Sequence, residues 1–270
     1  MIATERKVLL LGPSGAGKST LCNAIYNQKV DFDSLMKPAE VSARAQGVTD
    51  KNKNYWCNDN IRVLTDTIGF DDPRFQTETI AQELRRMLYD EKHIPCEKVI
   101  LCIRLGRVSG PARIYLRLLK AMFDNPFSNM ILYISGCEDG TTKEQFLTMN
   151  RSSEDPDMRE LINSLEEESR KKKAKNISFE NIVLGTLQCH KNPEIDRKKF
   201  INDREITLSK IMEGIDADIG TIEVKEPDEM VQAIAKWAKM FLKVLFPNII
   251  PVLKVVFDDE FNSIFDLFLE

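Results

Sequence analysis

The string GPSGAGKS at 12–19 restricts what this chain can fold into more than any other feature. Gly12, Gly17, Lys18 and Ser19 fill the pattern G-x-x-x-x-G-K-[ST], between the apolar run KVLLL at 7–11 and the helix-like STLCNAIYN at 19–27. A glycine-rich loop between strand and helix curls its backbone so that successive N–H groups face an anion. The helix N-terminus then adds its positive end. The candidate phosphate cradle is Gly12, Pro13, Ser14, Gly15, Ala16, Gly17, Lys18, Ser19 and Thr20. In it Lys18 neutralises the outer phosphates, a catalytic as well as a binding role, and the Ser19 hydroxyl can hold Mg2+. A glycine-rich turn with an exposed lysine is the competing reading, and the flanking strand and helix weaken it.

The rest of the chain supplies a sheet for that loop. IRVLTD at 61–66, KVILCIRL at 98–105, NMILYIS at 129–135 and NIVLGT at 181–186 are short Val-, Ile- and Leu-rich runs, as strands buried on both faces read. Between them, TETIAQELRRMLYDE at 77–91 and ARIYLRLLKAMF at 112–123 repeat their apolar residues at helical spacing. Strand then helix, repeated, predicts an α/β fold of the P-loop NTPase kind, a doubly wound, mostly parallel sheet. YWCNDNIRVLT, turning at 58–60, adds one antiparallel edge strand. The charged segment at 157–175 predicts a helix whose terminal lysines are solvated at the negative end of its dipole.

Beyond 226 the character changes to apolar helical sequence broken by Pro247 and Pro251, so the expected division is a nucleotide-binding domain at 1–225 and a C-terminal helical extension at 226–270. The stretch 237–257 approaches membrane-spanning length but carries Lys239, Lys243 and Lys254. Helices packed on the domain rank first, a dimer or membrane-surface contact second, and a true span last. A net charge of −4 argues against whole-surface attraction to DNA or RNA, so no nucleic-acid partner is expected. The six cysteines, in no ligand-like spacing, read as free thiols in a reducing compartment, and the short first apolar run does not read as a signal peptide. The expected location is the cytoplasm, peripheral on endomembranes if the C-terminal helices touch a lipid surface.

Three further strings narrow the ligand. In VLTDTIGF, Asp66 ends an apolar strand, where a carboxylate reaches Mg2+, and Gly69 follows three residues on, where its N–H can meet a terminal phosphate. Thr49, in the polar AQGVTDKNKN, is the candidate for completing the metal shell and for catalysis, with Ser42 as competitor. In MILYISGCED, Asp139 follows a buried strand, where a carboxylate can accept from the ring N–H and amino group of guanine, a donor pair that adenine lacks.

Together LLLGPSGAGKSTLCNAI, DTIGFDD, ILCIRLGRVSGPAR and MILYISGCED resemble the AIG-type GTPases, called GIMAP or IAN proteins, relatives of the septins and the chloroplast Toc receptors. The resemblance covers about residues 7–212, and IRLGRVSG at 103–110 is similar to the family's own box between the third and fourth GTPase motifs. It implies GTP and GDP as ligands with Mg2+, a homodimer through the nucleotide-binding domain, and Arg107 as a catalytic finger reaching a partner's nucleotide. A surface or ion-paired Arg107 is the equal alternative. The chain departs from the family where Gly136 and Cys137 replace a basic residue whose stem packs along the base. No fifth motif is drawn from Gly185 and Thr186. Phe70 follows Gly69 and cannot orient water, which predicts slow hydrolysis. The expectation is therefore a slow, dimerising, Mg2+-dependent GTPase. The alternatives are a GTP-dependent assembly scaffold at membranes without turnover and, third, an ATP-driven P-loop protein, since GPSGAGKST is also very like the loop of ABC ATPases and guanylate kinases.

Overall fold

Strands β1 (Arg6–Leu11), β2 (Lys53–Trp56), β3 (Arg62–Asp66), β4 (Cys96–Arg104), β5 (Met130–Ser135) and β6 (Ile182–Leu184) form one sheet in the order β2-β3-β1-β4-β5-β6. This computed structural model describes residues 5–28, 30, 34–40, 51–57, 59, 61–69, 94–106, 116, 119–120, 122–137, 141–151, 156–177, 180–187, 197–217, 220–223 and 225. All neighbouring strands are parallel except β2, which runs antiparallel to β3 at the sheet edge. The mostly parallel sheet with one antiparallel edge strand is thus the expected one. The hairpin turns where Asp59 Oδ1 accepts the N–H groups of Ile61 and Arg62 at 2.9 and 3.0 Å. That side-chain turn carries the chain from β2 into β3.

Alternation along the strands divides the core in two. Leu9 and Leu11 of β1 face one side with Leu101 and Ile103 of β4. They meet Phe146 of α2 (Lys143–Arg151) and Leu161, Ile162 and Leu165 of α3 (Pro156–Ala174). Val8 and Leu10 face the other side with Ile100 and Cys102. They meet Leu21, Cys22 and Ile25 of α1 (Lys18–Tyr26) and Leu208, Ile211 and Ile215 of α4 (Arg197–Asp216). Helices therefore cover both faces, the doubly wound arrangement, and each buried aliphatic side chain contributes roughly 1.5–3 kcal/mol. Central β1 has β3 on one side and β4 on the other, so the chain order reverses at its C-terminal end. In an open α/β sheet that is where ligands bind.

The opposite pole is held by polar groups. Ile222 N–H donates to the Cys96 carbonyl at 2.8 Å, Asn129 Nδ2 to the Gly220 carbonyl at 2.7 Å, and Lys98 Nζ, fully buried, to the Ala217 carbonyl at 2.7 Å. The helix expected at 77–91 and the extension at 226–270 lie outside the described residues; Leu116, Leu119, Lys120 and Met122 of the one at 112–123 are helical. Among the described residues, no helix is long and apolar enough to cross a membrane.

One lysine of the basic run departs from the solvated helix end expected there. Lys171 and Lys173 are exposed, but Lys172 turns inward and donates to Asn181 Oδ1 at 3.2 Å. Burial, opposed by Glu168 and assisted by the nearby Lys98, lowers its pKa from 10.5 to about 8. The unfolded chain then holds this proton up to about pH 10.5 and the folded chain only to about pH 8, so the site favours folding increasingly as pH rises across that interval. The melting temperature of the wild type should accordingly gain on that of Lys172→Met between pH 8 and 10; parallel curves would contradict the assignment.

Candidate phosphate-binding site

The loop leaving β1 is shaped by three glycines in conformations that other residues rarely adopt. Gly12, Gly15 and Gly17 have φ of 143°, 73° and 94°. Gly12 is also required by contact, since a Cβ there would stand 2.1 Å from the Cys102 carbonyl oxygen of β4. Gly17 in the left-handed region is the N-cap of α1, so the helix starts with its N–H groups directed into the loop. Lys18 is buried, and its Nζ donates to the carbonyls of Gly12 and Pro13 at 2.8 and 2.9 Å. The loop is thereby wrapped around a fixed positive charge.

Ser19, one residue into the helix, donates its hydroxyl to Asp66 Oδ2 at 2.7 Å. The two groups are 47 residues apart in sequence and are brought together because β1 and β3 are parallel neighbours, with Leu10 in register with Asp66. A hydroxyl oxygen and a buried carboxylate at the mouth of a phosphate loop form an all-oxygen donor set, which suits Mg2+. Beyond Asp66 the backbone is tied from both sides. Thr67 Oγ1 donates to the Leu10 carbonyl at 2.7 Å, and Ile68 N–H donates to Asn52 Oδ1 at 3.0 Å. Gly69 follows these two anchors directly, at the phosphate end of the sheet.

Several supporting residues have no motif in the sequence. Ser135, at the end of β5, donates to the Ala16 carbonyl at 2.8 Å and so braces the loop from the far side of β4. Its only sequence signal is a hydroxyl closing a buried apolar run. Asn23 on α1 and Asn27, the residue that caps its C-terminus, each grip a backbone unit through both amide atoms, Asn23 at Ala39 (2.8 and 2.9 Å) and Asn27 at Met36 (2.7 and 2.9 Å). They hold the segment that leads toward Thr49. A cleft beside the loop is lined by Gly15, Gly17, Thr20, Arg104, Tyr133, Ser135, Gly136, Thr186 and Leu187. Thr186, from which no motif was drawn, therefore belongs to its wall.

Of the sequence candidates, the fold gathers Gly12 to Thr20, Asp66 and Gly69 at one end of the sheet. Thr49, Arg107 and Asp139, with Ser42 and Phe70, lie outside the described residues. The cysteines near the loop take no part in its chemistry. Burial pushes the Cys102 thiol up to about 12, against the partial opposition of Lys18, and the Cys22 thiol well above its ordinary value. Both stay protonated near neutral pH and are neither nucleophiles nor metal ligands. The five described cysteines are all free.

The model of the AIG1 family matches residues 6–181. No curated protein matches the chain. Among solved structures, it is similar to one described by the statement that dimerization is important for the GTPase activity of the chloroplast translocon components atToc33 and psToc159. Identity there is 14%, covering 83% of this chain and 87% of that one, with a TM-score of 0.52. A dimerization-deficient mutant of Toc33 from Arabidopsis thaliana is similar at 14% identity, covering 83% of this chain and 88% of that one, with a TM-score of 0.50. At such identities the likeness establishes the P-loop fold alone. The family match spans most of the chain, from the start of β1 to the start of β6, and includes the loop, Asp66 and Gly69: this chain belongs to the AIG1 family.

Proposed function

We propose that this chain is a Mg2+-dependent guanine-nucleotide-binding protein that hydrolyses GTP to GDP and phosphate with slow intrinsic turnover. The observation that carries the reading is the pairing of Ser19 with Asp66 at 2.7 Å beside the Lys18-centred loop. Those groups would hold Mg2+ together with Thr49, and the metal would neutralise charge on the phosphoryl oxygens. Lys18 and the loop N–H groups orient the phosphates, and the Gly69 N–H donates to the outermost one. Guanine preference rests on Asp139 and on the order of the motifs along the chain. Slow turnover rests on Phe70, whose side chain can neither donate to nor accept from an attacking water.

Dimerisation through the nucleotide-binding domain is supported by family membership and by the dimerization named for the Toc proteins of the same fold. In such a dimer Arg107 would add a second positive charge, beside that of Lys18, at the outermost phosphate of the partner's nucleotide. The C-terminal helices at 226–270 would pack on the domain or lie against a membrane surface, which fits a cytoplasmic protein peripheral on endomembranes. Phe70 equally favours a second reading, a GTP-dependent assembly scaffold with negligible turnover.

Titrating labelled GTP and ATP side by side should show GTP binding at least tenfold tighter, and only with Mg2+ at full affinity. Equal or tighter ATP binding would overturn the guanine assignment. Single-turnover GTP cleavage by the pure protein should accelerate per molecule as its concentration passes through dimerisation, and Arg107→Ala should abolish the acceleration. A flat rate at all concentrations would remove Arg107 from catalysis, and no cleavage at all would establish the scaffold reading.

A further inference from the structure

The cleft beside the phosphate loop is lined mostly by small residues, Gly15, Gly17, Thr20, Ser135, Gly136 and Thr186, with two larger side chains buried in the core, Tyr133 and Leu187, and one long exposed charged side chain, Arg104. A nucleotide whose phosphates sit in the loop would put its nucleoside into this cleft, where glycines and short hydroxyls cannot cover the face of an aromatic ring. Tyr133, 1% exposed and with its hydroxyl donating to the Gly185 carbonyl at 3.4 Å, belongs to the core beneath. The two described residues directly after β5 do not cover that face either. Gly136 has no side chain and turns the backbone at φ 79°, while Cys137 directs its Sγ to the Ile134 carbonyl at 3.4 Å and packs on the apolar core.

Arg104 is placed to do so. Along β4, Ile100 and Cys102 face the α1 side and Leu101 and Ile103 the other, so period-two alternation returns Arg104 to the side of α1 and the loop. It stands in register with Ser135, which itself braces the loop at Ala16. It is exposed, and among the described residues no hydrogen bond or ion pair engages its guanidinium. A guanidinium is flat, permanently charged and weakly hydrated, and it stacks on π faces, nucleobases included.

We propose that Arg104 is a nucleoside-binding residue that covers one face of the purine ring, a role that rests on the reading of the site as a nucleotide pocket. Stacking reads the ring face and not its hydrogen-bonding edge, so Arg104 contributes affinity to purine nucleotides generally and leaves the guanine choice to other groups.

The test uses the full chain and two probes, labelled GDP and inorganic tripolyphosphate, the second having phosphates but no base. Arg104→Ala should weaken GDP about tenfold and leave tripolyphosphate unchanged, the latter also showing that the loop remains folded. Arg104→Phe, flat but uncharged, should stay within about threefold of wild type for GDP. An Arg104→Ala variant that binds GDP like wild type overturns the proposal, as does one that loses GDP and tripolyphosphate in parallel, which would make Arg104 a general cation beside the phosphates. Failure of the wild type itself to bind GDP while binding tripolyphosphate would instead overturn the nucleotide reading beneath it, so the two failures are distinguishable.

Discussion

Lys18→Met is expected to weaken GTP binding by roughly a hundredfold or more, because it removes the buried positive charge around which the loop is built. The lysine is only 6% exposed, and its Nζ lies 2.8 and 2.9 Å from the Gly12 and Pro13 carbonyls. Methionine matches its length but donates nothing. The substitution therefore has two costs. The phosphates lose a charge-assisted partner, and the two loop carbonyls lose their buried donor at about 1–3 kcal/mol each where water cannot replace it. Calorimetric titration with GTP measures the first cost and the melting temperature of the nucleotide-free protein the second. A dissociation constant within threefold of wild type would show that Lys18 serves the loop's structure and not its ligand.

Gly12→Ala is expected to destabilise the fold by more than about 3 kcal/mol, although it adds one methyl group. Two independent obstacles meet there. The φ of 143° is a conformation that L side chains rarely adopt, and the new Cβ would stand 2.1 Å from a carbonyl oxygen in the middle of the sheet. A flexible side chain could swing aside, but the Cys102 backbone is fixed by its pairing with Tyr133 of β5. Gly106→Ala is the natural control, since Gly106 has a positive φ of 79° but nothing within 4 Å of the place its new methyl group would take, and it should cost only about 1 kcal/mol. Urea midpoints for the two variants separate contact from conformation. Equal small losses would mean that β1 and β4 move apart easily at the loop.

The parts of the site that were legible in the sequence are those whose chemistry is local. The loop from Gly12 to Thr20 is a continuous string in which spacing, glycine conformation and helix start are one feature, so it could be read before the fold was known. Asp66 and Gly69 were legible because a carboxylate closing a buried run, with a glycine shortly after it, says where the strand ends. The strands themselves were legible as apolar runs because both faces of a parallel sheet are covered. Ser135, Asn52, Asn23 and Asn27 were not legible, because each acts on backbone groups far from it in sequence. A serine hydroxyl 119 residues from the carbonyl it binds leaves no pattern. Lys172 was misread as solvated because three consecutive lysines look alike until a helix turns one of them toward Asn181.

The amino-acid order by itself determined that this chain would build a parallel sheet with a phosphate loop at the end of its first strand, since local spacing and hydrophobic burial suffice for both. Only the tertiary structure decided what surrounds that loop. Placing β1 between β3 and β4 brings Asp66 to Ser19, packs Cys102 against Gly12 and sets Arg104 beside the cleft that adjoins the loop. The physical reason is that strand order is a property of the whole core: it depends on which helices cover which face, and no single segment carries that information.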